Sequence, residues 1–505
     1  MKHFALLMCM SMAGGILGLA SPFWPLLLYY VIAVLQPAVL WDWSLAGWPE
    51  VRWGAVSAAL LVISCVIHGQ SLMREARLNP ILVLCAMFGV WVTVSALAAF
   101  SVDVAHAWGV ELGKVLLVVA MGSLIIRRIW QIRLLSMAVA ACVGYVALSI
   151  HQQYFFEGGR LDVYHHGLLN LDNNGVGLIL VVAMPLAYYA AFHRAELGPR
   201  VGLALRGAGF AGFGLMLHAV MMTYSRGAML AAAATCAFLT LGHRPRRHAL
   251  GLVIVGVAAV LFLAGPDIRE RAVSSVQIET DSSAQSRLAS WEAAWEMTWA
   301  NPLLGAGMRN STKFSQNFGA DLPGRVIHNQ YLQVAADSGI PAAMLYLAMV
   351  ALSWVRLRRC ATDAAYAADR AFDAGDLRAE ARALDAERLC HALSASVVGL
   401  AVSAMFLSIE IVELPWMLLM LAGVAPMAVH HHLSGADRAE PQPVSWPNPI
   451  PDAASDPNSV GPAPTQHTPG APHAPGTPNT GLPHGGLPGG AIALHTTRPA
   501  PGGLS

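Results

Sequence analysis

Thirteen apolar runs mark the first 431 residues, near 4–20, 23–40, 53–68, 80–100, 110–126, 134–151, 171–192, 203–222, 227–242, 248–265, 340–356, 391–413 and 415–431. A bilayer core about 30 Å thick is crossed by roughly 20 apolar residues in helix. An open strand would leave its backbone groups unpaired in lipid, so such runs are read as helices. The pattern predicts an all-α, polytopic transmembrane bundle of about 12–13 spans.

Composition supports that reading. Hydrophobic residues make up 56% of the 505 residues and charged residues 12%, whereas ordinary soluble domains carry about 25% charged residues. So few charges cannot clothe a water-soluble body of this size; lipid must cover the rest. The net charge of +1 comes with no basic stripe, which argues against a nucleic-acid partner. The seven cysteines are scattered without a C-x-x-C pair, against a disulfide framework or zinc site. The N-terminal apolar run resembles a signal peptide, but a second run follows almost at once, so it reads as a first membrane segment.

Arginines give the orientation. They cluster at 74–77, 127–133, 194–206, 244–247 and 356–359, and counting spans puts all five clusters on one side. The positive-inside bias makes that side cytoplasmic. Segments 41–52, 152–170 and 266–339 are then outside. If the first two runs both cross, the N-terminus is also outside, with Lys2 against the bias; a half-inserted first segment would reverse this. The expected organisation is helices over 1–265, an extracytoplasmic loop at 266–339, and helices over 340–433 with a charged helical insert at 357–390 broken near Gly375. The 434–505 tail is rich in Pro and Gly and reads as disordered.

The 266–339 loop holds most of the chemistry. Loops beyond about 15 residues are usually functional or disordered, and this one has a folding composition. Arg287, Trp291, Trp295 and Trp299 recur at i+4, drifting about 40° per step along one helical face. Trp favours the headgroup level, so a helix on the outer interface is expected. Gly305 and Gly307 mark a turn. Arg325 and His328 precede Asp337-Ser338-Gly339-Ile340-Pro341, read as a last turn before the next span. Far away in sequence, Thr223-Tyr224-Ser225-Arg226-Gly227 forms a tight outer turn, where a charge usually faces a cavity or partner. Lesser candidates are Lys114 (paired with Glu111 or assisting an anion), Glu410 near Glu413, and Asn173 and Asn174, which bind sugar or cap the helix that starts there. His165, His166, His430 to His432 and the Asn310-Ser311-Thr312 triplet carry little weight.

The Ser225-Arg226-Gly227 turn, the 287–307 segment and His328-Asn329 ahead of Gly339-Ile340-Pro341 together resemble the O-antigen ligase/polymerase (Wzy-C) superfamily. Leu171-Asp172-Asn173-Asn174-Gly175, followed by Met184-Pro185-Leu186, resembles its exosortase-associated O-glycosylation ligase branch. The resemblance implies a GT-C-like glycosyltransferase of the bacterial inner membrane. Its donor would be a glycan on undecaprenyl diphosphate and its acceptor a hydroxyl of lipid A-core or protein, with no cofactor and no metal. His328 matches the family's proposed base, and Arg226 and Arg287 match diphosphate-binding arginines; Arg325 matches no assigned position. The chemistry agrees: guanidinium groups stabilise a departing diphosphate, and imidazole accepts a proton near neutral pH. No D-x-D pair falls on the outer side. A repeat-unit polymerase and a lipid-linked sugar flippase are the alternatives.

Overall fold

The computed structural model describes residues 2–156, 171–193, 199–242, 282–320 and 322–435, with Gly251 and Ile254. Most of the 248–265 run, the 152–170 segment beyond 156, residues 266–281, His165, His166 and the tail beyond 435 lie outside the described residues. The helices are α1 (Lys2–Gly18), α2 (Phe23–Leu35), α3 (Trp53–Ile67), α4 (Pro80–Leu97), α5 (Val102–Ile125), α6 (Ile129–Phe156) and α7 (Asn173–Phe192). They continue as α8 (Pro199–Met222), α9 (Arg226–Gly242), α10 (Ser282–Ala300), α11 (Gln330–Asp373), α12 (Leu377–Ser403) and α13 (Glu413–Leu433).

No strand occurs among the described residues. Among the described residues seven helices are long and apolar enough to cross a membrane, namely α4 to α8, α11 and α13, and α1, α2, α3 and α9 are shorter apolar helices. The protein is a polytopic helical membrane protein.

Helix ends gather into two groups. At one end Arg127 pairs with Glu75, Arg133 and His193 meet Asp385 at 2.6 and 2.5 Å, and Arg388 donates to the Phe192 carbonyl at 3.2 Å. The 74–77 and 127–133 loops therefore share one end with His193 and Asp385; the 244–247 cluster and residues 194–198 lie outside the described residues. At the other end Phe100 N–H donates to Ala306 O at 2.8 Å, Asn173 Nδ2 to Thr223 O at 3.1 Å, and Gln330 N–H to Ala404 O at 2.8 Å.

The first two helices run antiparallel, each with one terminus toward either end. His3 stacks on Trp41 with centroids 4.6 Å apart, while at the far end Ser64 Oγ donates to Gly18 O at 2.6 Å and Phe23 meets Trp130. The N-terminus thus lies at the same end as 41–53.

Within the bundle α7 is the most enclosed helix, with 94% of its apolar window buried. Gly177 lets α9 approach closely: a Cβ there would sit 2.5 Å from that of Ala228. This contact sets the N-terminal ends of α7 and α9 side by side.

The turn expected at 337–341 is a break within α11, between a short helical stretch that starts at Gln330 and the long stretch that runs to Asp373. It falls at Gly339, whose φ is 83° and ψ 170°. Only glycine takes that conformation readily, and a Cβ would lie 2.0 Å from Leu303 O. Ile340 N–H donates instead to Pro302 O at 2.8 Å. The expected 391–413 span is corrected: it ends at Ser403, because side chains capture the backbone beyond it, with Gln330 Oε1 accepting from Ile409 N–H at 2.6 Å. Between α11 and α12 the chain turns at Gly375, which has φ 72°.

Candidate active site

The N-terminal end of α7 is the first wall of the site. Asp172 is its N-cap, in extended conformation, and accepts from Gly175 N–H at 2.8 Å. A carboxylate there satisfies an orphan donor and complements the helix dipole. Capping by Asn173 or Asn174, as expected from sequence, is thereby corrected. With the cap position filled, the two amides reach across to other elements. Asn173 holds the Thr223 carbonyl. Asn174 Oδ1 accepts from Ser225 Oγ at 2.7 Å and from Arg287 Nη2 at 3.4 Å, so α7, the 223–226 turn and α10 meet at one amide.

The second wall is that turn. Tyr224 has φ 52°, and Ser225 Oγ also accepts from Ala228 N–H at 3.2 Å, starting α9. Arg226 follows directly, half-buried. Its backbone is held between the left-handed Tyr224, two residues earlier, and the buried Gly227, where a Cβ would be 2.7 Å from Phe406.

His328 lies between α10 and α11 with φ 53°. A non-glycine residue in this region is held there only when its surroundings over-determine it. They do so on both sides. Before it, the Ile327 carbonyl accepts from Trp291 Nε1 at 3.0 Å and from Ser290 Oγ at 3.5 Å. After it, Asn329 caps α11 through bonds from Tyr331 N–H and Leu332 N–H at 3.1 and 3.2 Å. Beneath the segment a separate small core forms from Ala294, Met297, Ala306, Ile327 and Ala336. One face of α10 is therefore given to supporting His328, while Trp295 and Trp299 are exposed on another. The i+4 stripe is thus divided: Trp291 belongs to the site and the two later tryptophans face outward.

Electrostatics shows which groups share the space. Burial holds the His328 imidazole below its usual range; Asp172 opposes that shift, while Arg287 and Arg325 add to it. Four side chains from α7, α10 and the 325–328 segment thus act on one another. The imidazole is held neutral near pH 7, and its Nδ1 is buried with no hydrogen bond among the described residues. Arg325 is anchored near by its own N–H, 3.2 Å from Ser315 Oγ.

Other candidates fall elsewhere. Lys114 is in an exposed ion pair with Glu111 at 2.7 Å. Glu410 is buried and takes Arg309 as partner at 3.3 Å, not Glu413. Burial pushes its carboxyl up to about 7, against the pull of Arg309 and with a further push from Asp337. Arg309 also lies over the Trp108 ring at 4.7 Å. This pair fastens the 301–320 loop to the segment that clasps Gln330.

Gly305 and Gly307 have positive φ, but their N–H groups are spent on Asn301 O and Asp337 O; the turn is structural. Asn310 is fully buried and bonded to Ser101, which removes its triplet as a modification site. No cluster of three or more His, Cys, Asp or Glu residues among the described residues is placed to hold a metal ion.

These positions coincide with a known pattern. Residues 211–347 match the family model described as O-Antigen ligase, Wzy_C. The matched stretch holds the Ser225-Arg226 turn, Arg287, Arg325 and His328, and it supports a membrane enzyme of O-antigen ligase or polymerase type. It does not reach 171–186, on which the exosortase-associated resemblance rests. A comparison with curated proteins gave no match.

The sequence reading passed over Asp172, Ser225 and Trp291 as individual contributors. Asp172 had a signal, an Asp three residues before Gly175 at a helix start. Trp291 had none that separated it from its two neighbours on the stripe.

Proposed function

We propose that this protein transfers a glycan from undecaprenyl diphosphate to an acceptor hydroxyl, on lipid A-core or a protein, at the outer face of a bacterial inner membrane. One observation carries the reading: a neutral, conformationally strained histidine shares a half-buried site with Arg287, Arg325 and Asp172, inside the O-antigen ligase match.

The step balances simply. The acceptor oxygen attacks the anomeric carbon and its proton passes to His328. The bond from that carbon to the phosphate oxygen breaks, and undecaprenyl diphosphate leaves with the electron pair. Arg226 and Arg287 would face the departing diphosphate, where fixed guanidinium groups act most strongly as negative charge gathers. Arg325 would add positive potential, and Asn174 would hold Arg287 in place. In this reading guanidinium groups fill the part that a divalent ion plays elsewhere.

The acid limb of kcat/KM reports the base in the free enzyme. Because Asp172 raises the His328 pKa against burial, Asp172→Asn is expected to lower it and move that limb to lower pH. Asparagine keeps the capping function, so the helix start survives. A limb that stays in place would show that His328 is not the titrating base.

Ligase and polymerase share the donor and differ in the acceptor. A ligase predicts that cells lacking the protein accumulate full-length lipid-linked glycan, read by gel after carrier extraction. Accumulation of single repeat units alone would transfer the reading to polymerase.

A further inference from the structure

A second site lies at the opposite end of the bundle. Arg356, Arg359, Cys360 and Asp363 of α11 and Pro426, Val429, His430 and Leu433 of α13 line a cleft of about 250 Å³. Arg356 is half-buried; one Nη donates weakly to the Gly423 carbonyl at 3.4 Å, and its buried Nε has no hydrogen bond. Neither Arg356 nor Arg359 is in an ion pair among the described residues, whereas Arg127 pairs with Glu75, Arg133 pairs with Asp385 and Arg358 lies over Phe238. The cleft therefore holds two uncompensated guanidinium groups and an exposed imidazole against one exposed carboxylate, Asp363.

Depth identifies what can reach it. Arg356 is 16 residues beyond Ile340, about 24 Å along a helix, and Arg359 about 28 Å. His430 is 17 residues beyond Glu413, about 26 Å. Against a hydrocarbon core about 30 Å thick, both helices bring their cations to the headgroup level of the leaflet away from the His328 site. The remaining lining is apolar: Pro426, Val429 and Leu433.

We infer that this cleft binds the headgroup of an anionic phospholipid, phosphate oxygens on Arg356 and Arg359, acyl chain along the Val429–Leu433 face. Basic pockets between helix ends recognise such lipids by this combination of charge and depth. Free phosphate would satisfy the arginines but would leave the apolar face uncovered. The inference rests on the helical membrane architecture and is independent of the glycan-transfer reading.

The test uses purified full-length protein in neutral detergent, with thermal unfolding followed on addition of phosphatidylglycerol, phosphatidylethanolamine or inorganic phosphate. Phosphatidylglycerol is expected to raise the unfolding midpoint saturably. Arg359→Gln combined with His430→Gln, which spares the half-buried arginine, is expected to weaken the apparent affinity about tenfold. Arg356→Gln with Arg359→Gln should abolish the effect if that variant folds. Equal stabilisation by phosphatidylethanolamine, or by inorganic phosphate, would overturn the proposal. So would an unchanged phosphatidylglycerol affinity in the Arg359→Gln/His430→Gln variant, leaving arginines that merely reach for water.

Discussion

Replacing His328 with alanine is expected to lower glycan transfer by about 10²–10⁴-fold, the usual worth of a positioned general base, with little change in folded yield. The separation of the two effects follows from the site's construction. The imidazole Nδ1 makes no hydrogen bond among the described residues, so its removal breaks no structural bond there. The strained φ of 53° is maintained by Trp291 and Asn329 on the flanking residues. Transfer rate at equal protein level and the thermal midpoint in detergent are the two measurements. Near-normal transfer would remove His328 from the reaction, whatever the midpoint did.

Arg287→Ala is the second large effect, expected to cost about 10²–10³-fold in turnover, the range for losing one preorganised donor to a developing anion. Here some destabilisation should accompany it, because Arg287 also donates to Asn174, the amide that joins α7 to the Ser225 turn. Arg287→Lys separates the contributions. A lysine keeps the charge but loses the planar fork, so it should recover part of the rate. A lysine variant as inactive as the alanine, with a normal midpoint, would mean that bidentate geometry decides. An alanine variant with full activity would exclude Arg287 from diphosphate binding.

Much of the fold was legible because a bilayer leaves few alternatives. Each described apolar run became a helix, since lipid permits no other way to pair the backbone. The ends were not always those expected: the 340–356 run lies within Gln330–Asp373 and the 391–413 run overlaps Leu377–Ser403. What failed to show were the interruptions imposed by distant partners. Nothing local at 404–412 announces that Gln330 will take the Ile409 N–H and end a span early. Gly339 was visible as a special residue, but its kink depends on Leu303 and Pro302 closing against it.

The site shows the same division. Arg287, Arg325 and His328 were singled out from residue type, loop position and, for Arg287 and His328, the family resemblance, and the fold brings their fields together. Asn174 was noticed and assigned to the wrong task, because capping is decided locally whereas its bonds to Ser225 and Arg287 span 51 and 113 residues. Arg309 with Glu410 was half legible. A buried glutamate near a span end signals a partner, but nothing in the chain order names an arginine in an outer loop.

The most direct measurement combines purified protein with an undecaprenyl-diphosphate oligosaccharide and a hydroxyl acceptor, and follows released carrier diphosphate together with glycosylated acceptor. The account predicts that the two appear in equal amounts with the wild-type chain and that both vanish with His328→Ala. Carrier release at the wild-type rate from the His328→Ala protein, or no acceptor product from the wild type, would contradict it.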